Sequence, residues 1–277
     1  MKSSGYILLS RPFNVLISIL SIFIAIVICG NLEWTLKVLA ACFSGGFITA
    51  ASNTINDYYD VEIDRINKPN RPIPSGMVRR KDAFVFSLLL YTAGILLGLL
   101  INVTAFVIVL STSLLLFFYS AKLKRTVLLG NFAVSLSTAL AFIYGGVAVG
   151  RINNAVIPAV FAFMMHFGRE IIKDMEDIEG DKKNRAITLP VRFGLIPAKW
   201  SATIIFFVLI MLTIIPFIIN IYGIWYFLIV LLGVNSILVY TTIRMWQHSN
   251  KEIFSQLSIL LKADMIVGLL AIFAGRW

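Results

Sequence analysis

The sequence predicts an all-α, multi-pass membrane protein with nine transmembrane helices, on three observations. Of 277 residues, 59% are hydrophobic and only 14% charged. Soluble domains run at about 45–50% and roughly 25%, so there is too little charge here to skin a soluble core. Apolar runs of the length a membrane helix needs, about 20 residues, recur along the whole chain. The charge balance, 24 Lys+Arg against 14 Asp+Glu, would suit nucleic acid in a soluble protein. Its distribution among loops points to a bilayer face instead, with no nucleic-acid partner.

Taken in order, the spans are 14–30, 37–57, 83–101, 103–120, 127–149, 155–173, 199–219, 222–243 and 253–274. The first has no small-residue cleavage site after it and reads as structural. The second and fifth carry the pairs Gly45-Gly46 and Gly145-Gly146, which allow close helix approach. Asn102 and the Asn220–Gly223 turn must separate long apolar stretches with very few residues. Lys262 and Asp264 fall inside the last span. Asp264 should face the bundle interior, because lipid exposure of a carboxyl is costly, and Lys262 either does the same or snorkels. Cys29 and Cys42 lie in apolar runs with no metal or disulfide spacing. Residues 1–277 read as one domain with an internal pseudo-repeat.

Counted by alternate loops, 19 basic residues lie on one side and three, Lys37, Arg151 and Arg276, on the other. The larger set includes Arg11, Lys68, Arg71, Lys122, Lys124 and Arg185. Positive charge stays inside, so the N-terminus and the long loops are expected in the cytoplasm and Trp277 outside, in a cell-membrane protein.

The acids are sparse but not scattered. Nine of 14 fall in two segments, Asn-Asp-Tyr-Tyr-Asp-Val-Glu-Ile-Asp (56–64) and Asp-Met-Glu-Asp-Ile-Glu-Gly-Asp (174–181). Both contain D-x-x-D-x-x-x-D, as Asp57, Asp60, Asp64 and as Asp174, Asp177, Asp181. Each closes an even-numbered span and precedes a basic loop. On a straight helix the three carboxylates share a stripe about 60° wide, which Asn53 and Asn56 join in the first segment and Glu170 in the second. Gly180 is a point where the second helix can end, bringing Asp181 in from a loop. Carboxylates stacked near a low-dielectric medium persist only with cations between them, and an all-oxygen donor set suits Mg²⁺. The chain holds only His166 and His248, too few for a zinc or haem site. His166, one turn before Glu170, either lines the site or makes a structural hydrogen bond.

Mg²⁺ held by few carboxylates keeps coordination positions that phosphate oxygens fill, and Lys and Arg neutralise the rest of a polyphosphate. The stiff Pro-rich loop 65–76 with Lys68 and Arg71, the segment 182–185 and the group Lys122, Lys124, Arg125 supply such walls. Apolar spans rich in Phe, Ile and Leu offer a greasy slot for a lipid.

These motifs resemble the UbiA family of intramembrane prenyltransferases over essentially the whole chain. Its N-D-x-x-D-x-x-x-D motif is met by Asn56, Asp57, Asp60 and Asp64, and its second motif by Asp174, Asp177 and Asp181. Its Tyr-Ser-x-x-Leu-Lys segment is met by Tyr119, Ser120, Leu123 and Lys124, with Gly130-Asn131 following. The resemblance implies nine helices around a central cavity with a cytoplasmic cap bearing both motifs, Mg²⁺ as cofactor, and transfer of a prenyl group from a prenyl diphosphate. Asp60, Asp64, Asp177 and Asp181 take the catalytic roles. Tyr119 joins the phosphate-binding set, and Asn53, Asn131, His166 and Glu170 line the cavity. Segments 10–14, 67–76 and 169–174 are most similar to the branch joining geranylgeranyl diphosphate to geranylgeranylglyceryl phosphate, which makes the second ether bond of archaeal lipids. There Arg11, Lys122 and Arg185 are the candidates for the acceptor's phosphate. A prenyltransferase acting on a quinone precursor shares the metal site, and a cation transporter is the non-enzyme alternative. A CDP-alcohol phosphotransferase is excluded, since Val61 stands where its motif needs Gly.

Overall fold

The computed structural model describes residues 2–30, 36–183 and 185–275. Asn184, Arg276 and Trp277, used above for loop charge and orientation, lie outside the described residues. Among the described residues every regular element is helical. Nine helices among the described residues are long and apolar enough to cross a membrane, within a few residues of the expected spans.

The chain divides into two compact units, residues 1–123 with 140–155 and residues 124–139 with 156–277. Each contains one acidic motif. In the first, a short helix α1 (Lys2–Ser10) leads into α2 (Pro12–Cys29). Then come α3 (Leu36–Tyr59), α4 (Val61–Asn67), α5 (Arg80–Ile101) and α6 (Val103–Ala121). Asn102 separates α5 from α6 by capping: its side chain accepts from the Ala105 N–H at 2.8 Å, satisfying a donor that a helix start leaves orphaned. The core of this unit is built on Ile22, Ile48, Ile55, Tyr91 and Tyr144. Small residues bring the backbones together. The Ser44 hydroxyl donates to the Gly94 carbonyl across α3 and α5 at 2.7 Å. A second, smaller cluster of Leu9, Val61, Ile73, Val78 and Ala83 joins α1, α4 and the loop after it.

In the second unit, α7 (Leu129–Ala148, divided between the units after Ala139) and α8 (Asn153–Glu176) are followed by α9 (Ile178–Lys183), α10 (Leu189–Phe193) and α11 (Leu195–Ile218). The expected eighth span is not one regular helix. It runs as α12 (Ile224–Ile229), a π-helical turn (Val230–Asn235) and α13 (Ser236–Gln247). The last element is α14 (Lys251–Ala274). The core gathers Ile171, Ile172, Phe206, Leu238, Met245 and Phe254. Asp264 is fully buried, as expected, and Lys262 is half-buried. Many large apolar side chains face outward on both units, among them Leu100 at 67% and Leu232 at 71% exposure. Hydrocarbon chains solvate such faces, and the internally bonded helix backbone makes the crossing possible.

Glycine packing yields a test. A Cβ on Gly145 falls 2.7 Å from the Ile22 carbonyl oxygen, a backbone atom with little room to move, whereas one on Gly268 meets nothing closer than 4.0 Å. Gly145→Ala should lower stability by about 1–3 kcal/mol, read as a reduced thermal midpoint in detergent, and Gly268→Ala should leave it unchanged.

Candidate active site

The first motif is not a straight-helix stripe. α3 stops at Tyr59, Asp60 adopts φ −89°, ψ 2°, and α4 begins at Val61. Hydrogen bonding runs through the joint: the Asp60 N–H donates to the Asn56 carbonyl at 3.0 Å, and the Asp64 N–H to the Asp60 carbonyl at 2.8 Å. One residue in the bridge region of backbone space redirects the chain while keeping both of its own backbone bonds. The cause is packing. Val61, 1% exposed, is held in the cluster with Leu9 and Ile73, which draws α4 off the α3 axis. Asp57, Asp60 and Asp64 therefore come from one helix, a joint and a second helix.

Arg71 organises this corner. Its Nη1 donates to Asp57 Oδ1 at 3.1 Å and to Asp64 Oδ2 at 2.5 Å, so two carboxylate oxygens from different helices converge on one positive nitrogen. Asp57 and Asp64 are buried while Arg71 is half-buried. The loop carrying Arg71 is stiff, as its prolines imply. The Arg71 N–H donates to Lys68 O, Ser75 N–H to Arg71 O and Val78 N–H to Pro72 O, at 2.9–3.0 Å. Arg11 supplies a second guanidinium through its Nη2 to Asp57 Oδ1. It sits between α1 and α2 at φ 51°, a left-handed backbone costly for a residue with a Cβ and held only by surrounding contacts. Asn53 helps to hold it, donating to Ser10 O at 2.9 Å and accepting from Asn14 at 3.4 Å. Asn56 and Asp60 are half-buried, and Lys68 is exposed. Burial pushes the Asp64 carboxyl above its ordinary value of 3.8, against the opposing pull of Arg71.

The second motif repeats the joint. α8 ends at Glu176 and α9 begins at Ile178. The Asp177 N–H donates to Lys173 O at 2.9 Å and the Asp181 N–H to Asp177 O at 2.8 Å. Gly180 lies within α9, so Asp181 projects from a helix rather than a loop. Asn131 Nδ2 donates to Asp174 Oδ2 at 2.8 Å, and Thr188 Oγ1 to Asp181 Oδ2 at 3.0 Å. Asp177 is exposed. Glu170, buried, receives Lys173 Nζ on both oxygens at 2.8–2.9 Å and Arg169 Nη1 at 3.3 Å. Arg169 Nε also donates to the Ser258 carbonyl on α14 at 2.9 Å. His166 Nδ1 is buried without a hydrogen-bond partner, so that nitrogen makes no structural bond. The network of Arg169 and Lys173 around Glu170, and the Thr188 contact, were not singled out from the sequence. A charged Arg169 inside an apolar span was the available signal.

The remaining phosphate candidates lie at helix ends and turns. Lys122 is exposed at the end of α6, Lys124 half-buried in a 3₁₀ turn (Leu123–Arg125), Tyr119 half-buried near the end of α6, and Arg185 exposed with φ 55°. Among the described residues no three His, Cys, Asp or Glu side chains gather closely enough to cage a metal. The donor set nonetheless fits a hard divalent ion shared with a substrate. It is all oxygen, and at the Arg71 nitrogen two carboxylates already converge on positive charge.

These two broken-helix aspartate motifs in a nine-span chain belong to a class of intramembrane transferases: residues 15–263 match the profile of the UbiA prenyltransferase family, and the chain belongs to that family. A digeranylgeranylglyceryl phosphate synthase from Methanosphaera stadtmanae is 36% identical over 271 residues, covering 98% of each chain. A solved structure of digeranylgeranylglyceryl phosphate synthase in membranes matches with TM-score 0.81 and 37% identity, over 99% of this chain and 98% of that one. A UbiA homologue from Archaeoglobus fulgidus bound to GPP and Mg²⁺ shares the fold, with TM-score 0.74 at 20% identity over 97% and 99%. The chain is therefore a multi-pass membrane protein.

Two outcomes test this electrostatic arrangement. Arg71→Gln should cost about 1–3 kcal/mol in EDTA, read as a lower thermal midpoint, and added Mg²⁺ should recover most of the loss. Because the folded protein holds the Asp64 proton more tightly than the unfolded chain does, this group favours folding at low pH. It costs stability as pH rises past the ordinary carboxylate value of 3.8. A pH series of melting curves in EDTA should show that decline, and Asp64→Asn should flatten it.

Proposed function

We propose that this protein transfers a geranylgeranyl group from geranylgeranyl diphosphate to the glycerol hydroxyl of geranylgeranylglyceryl phosphate, in a Mg²⁺-dependent reaction forming the second ether bond of an archaeal membrane lipid. The observation that carries this reading is the end-to-end match, at 36% identity, to a digeranylgeranylglyceryl phosphate synthase. Both units are read as parts of one catalytic domain. By loop charge, the N-terminus and the basic loops face the cytoplasm and the C-terminus faces outside.

Asn56, Asp57, Asp60 and Asp64, with Asp174, Asp177 and Asp181, are the oxygen donors assigned to Mg²⁺, which when bound supplies Lewis-acid charge to the departing diphosphate. The A. fulgidus homologue bound to GPP and Mg²⁺ supports Mg²⁺ as the cofactor. Arg71 and Arg11, already held beside Asp57, neutralise phosphate oxygens arriving at the same corner. Lys68, Tyr119, Lys122, Lys124 and Arg185 are assigned to the outer phosphate charge. Apolar helices shelter the reacting carbon from water. The C1–O bond of the donor breaks, C1 bonds to the acceptor oxygen, and diphosphate and the hydroxyl proton leave.

The test offers geranylgeranyl diphosphate with geranylgeranylglyceryl phosphate, hydroxybenzoate or dihydroxynaphthoate, and identifies the product by mass spectrometry. The ether product alone is expected, and an aromatic product would overturn the acceptor assignment. EDTA should stop turnover and Mg²⁺ restore it. Asp60→Ala or Asp177→Ala should lower kcat at least about 100-fold, with detergent gel filtration unchanged.

A further inference from the structure

The geometry points to a binding site for the acceptor's phosphomonoester on Lys173, Arg169 and Lys262, one helical turn from the second acidic motif towards the membrane interior. This rests on the acceptor proposed above. His166, Glu170 and Asp174 follow one another at four-residue intervals along α8, so they share a face and rise about 6 Å per step. Around them the charge changes sign. Asp174 belongs to the acidic motif and is bonded by Asn131. One turn along, Glu170 carries both Lys173 and Arg169. Arg169 also bonds the Ser258 carbonyl of α14, which shows where that helix meets α8. Lys262 lies four residues beyond Ser258, one turn further along the same face, and within electrostatic reach of the His166 ring together with Arg169, Glu170 and Lys173.

The charges bearing on His166 are thus three cations and one carboxylate. Glu170 is 6% exposed, and the Arg169 side chain 16%. Asp174 adds a second carboxylate beside Glu170 and Lys173, and three cations gathered within a membrane bundle against two carboxylates still favour an anion. A phosphomonoester carries about −1.5 to −2 near neutral pH. His166 Nδ1, buried and unpartnered, adds a polar atom on the same face that a phosphate can satisfy. Glu170 is a positioning residue that aims Lys173. Lys122 and Arg185 are exposed, so this cluster is better placed than they are to hold a phosphate out of water. A phosphate here holds the acceptor hydroxyl beside Asp174.

Steady-state kinetics on the full chain in detergent distinguish this site from one for the donor's diphosphate. Lys173→Met and Lys262→Met should each raise the KM for geranylgeranylglyceryl phosphate about tenfold or more, with the KM for geranylgeranyl diphosphate within about twofold. Glu170→Gln should shift the same constant in the same direction. An unchanged acceptor KM in both lysine variants, or an equal rise in donor KM, would overturn the assignment. Lys173 lies at the end of α8 with its side chain 35% exposed, and Glu170 keeps its Arg169 partner when Lys173 is replaced. Equilibrium binding to the wild-type chain in EDTA, without donor, gives an independent readout. Geranylgeranylglyceryl phosphate should bind more tightly than geranylgeranylglycerol, and equal binding would also refute the site. Selective binding without turnover would uphold the phosphate site while refuting the proposed reaction.

Discussion

Carboxylates at the edge of a low-dielectric medium repel one another and lose hydration, so a fold can bring them together only by holding positive charge against them. In the first motif that charge is Arg71, whose single Nη1 meets Asp57 and Asp64 from two different helices, with Arg11 closing on Asp57 from a third direction. Other features of this corner follow from it. The loop bearing Arg71 is stiffened by prolines and a run of backbone hydrogen bonds. The joint at Arg11 tolerates a left-handed backbone that nothing in its own chemistry favours. Both set a guanidinium against the carboxylates and offset their mutual repulsion.

The helix break at the middle aspartate is the second shared device. In both units the joint residue donates to the carbonyl four residues before it and accepts from the N–H four residues after it, so hydrogen bonding continues through the joint while the chain direction changes. In the first motif the driving contact is the burial of Val61 against Leu9 and Ile73. A straight helix would stack three carboxylates on one stripe; the joint distributes them over two helices and lets each find its own partner. Asp64 is met by Arg71, Asp174 by Asn131 and Asp181 by Thr188.

Much of this was legible in the residues. Span count follows from hydropathy, since a bilayer requires about 20 apolar residues whatever their packing. The Asn102 break was visible as a polar residue between two apolar runs, and its capping geometry explains it. The burial of Asp264 followed from the cost of a carboxyl in lipid. Other features were not legible. The breaks at Asp60 and Asp177 leave no glycine or proline at the joint. The π-helical turn at Val230–Asn235 lies in an unremarkable apolar run. Arg169 stands in the sequence as a cation inside an apolar run, and its partners, Glu170 beside it and Ser258 far along the chain, are revealed by packing alone.

The sequence by itself determined the membrane class, the number of spans, the pairing of two acidic motifs and the family to which they belong. These depend on composition and spacing, which are properties of a linear chain. Tertiary structure alone decided which cation meets which carboxylate: Arg71 and Arg11 at the first motif, Lys173 and Arg169 one turn from the second. A positive residue in a basic loop has many acids within reach of its sequence neighbourhood. Only the packing of Val61, the Pro72–Ile73 turn and the α8–α14 contact selects one, because an ion pair at a membrane edge forms where desolvation and geometry agree.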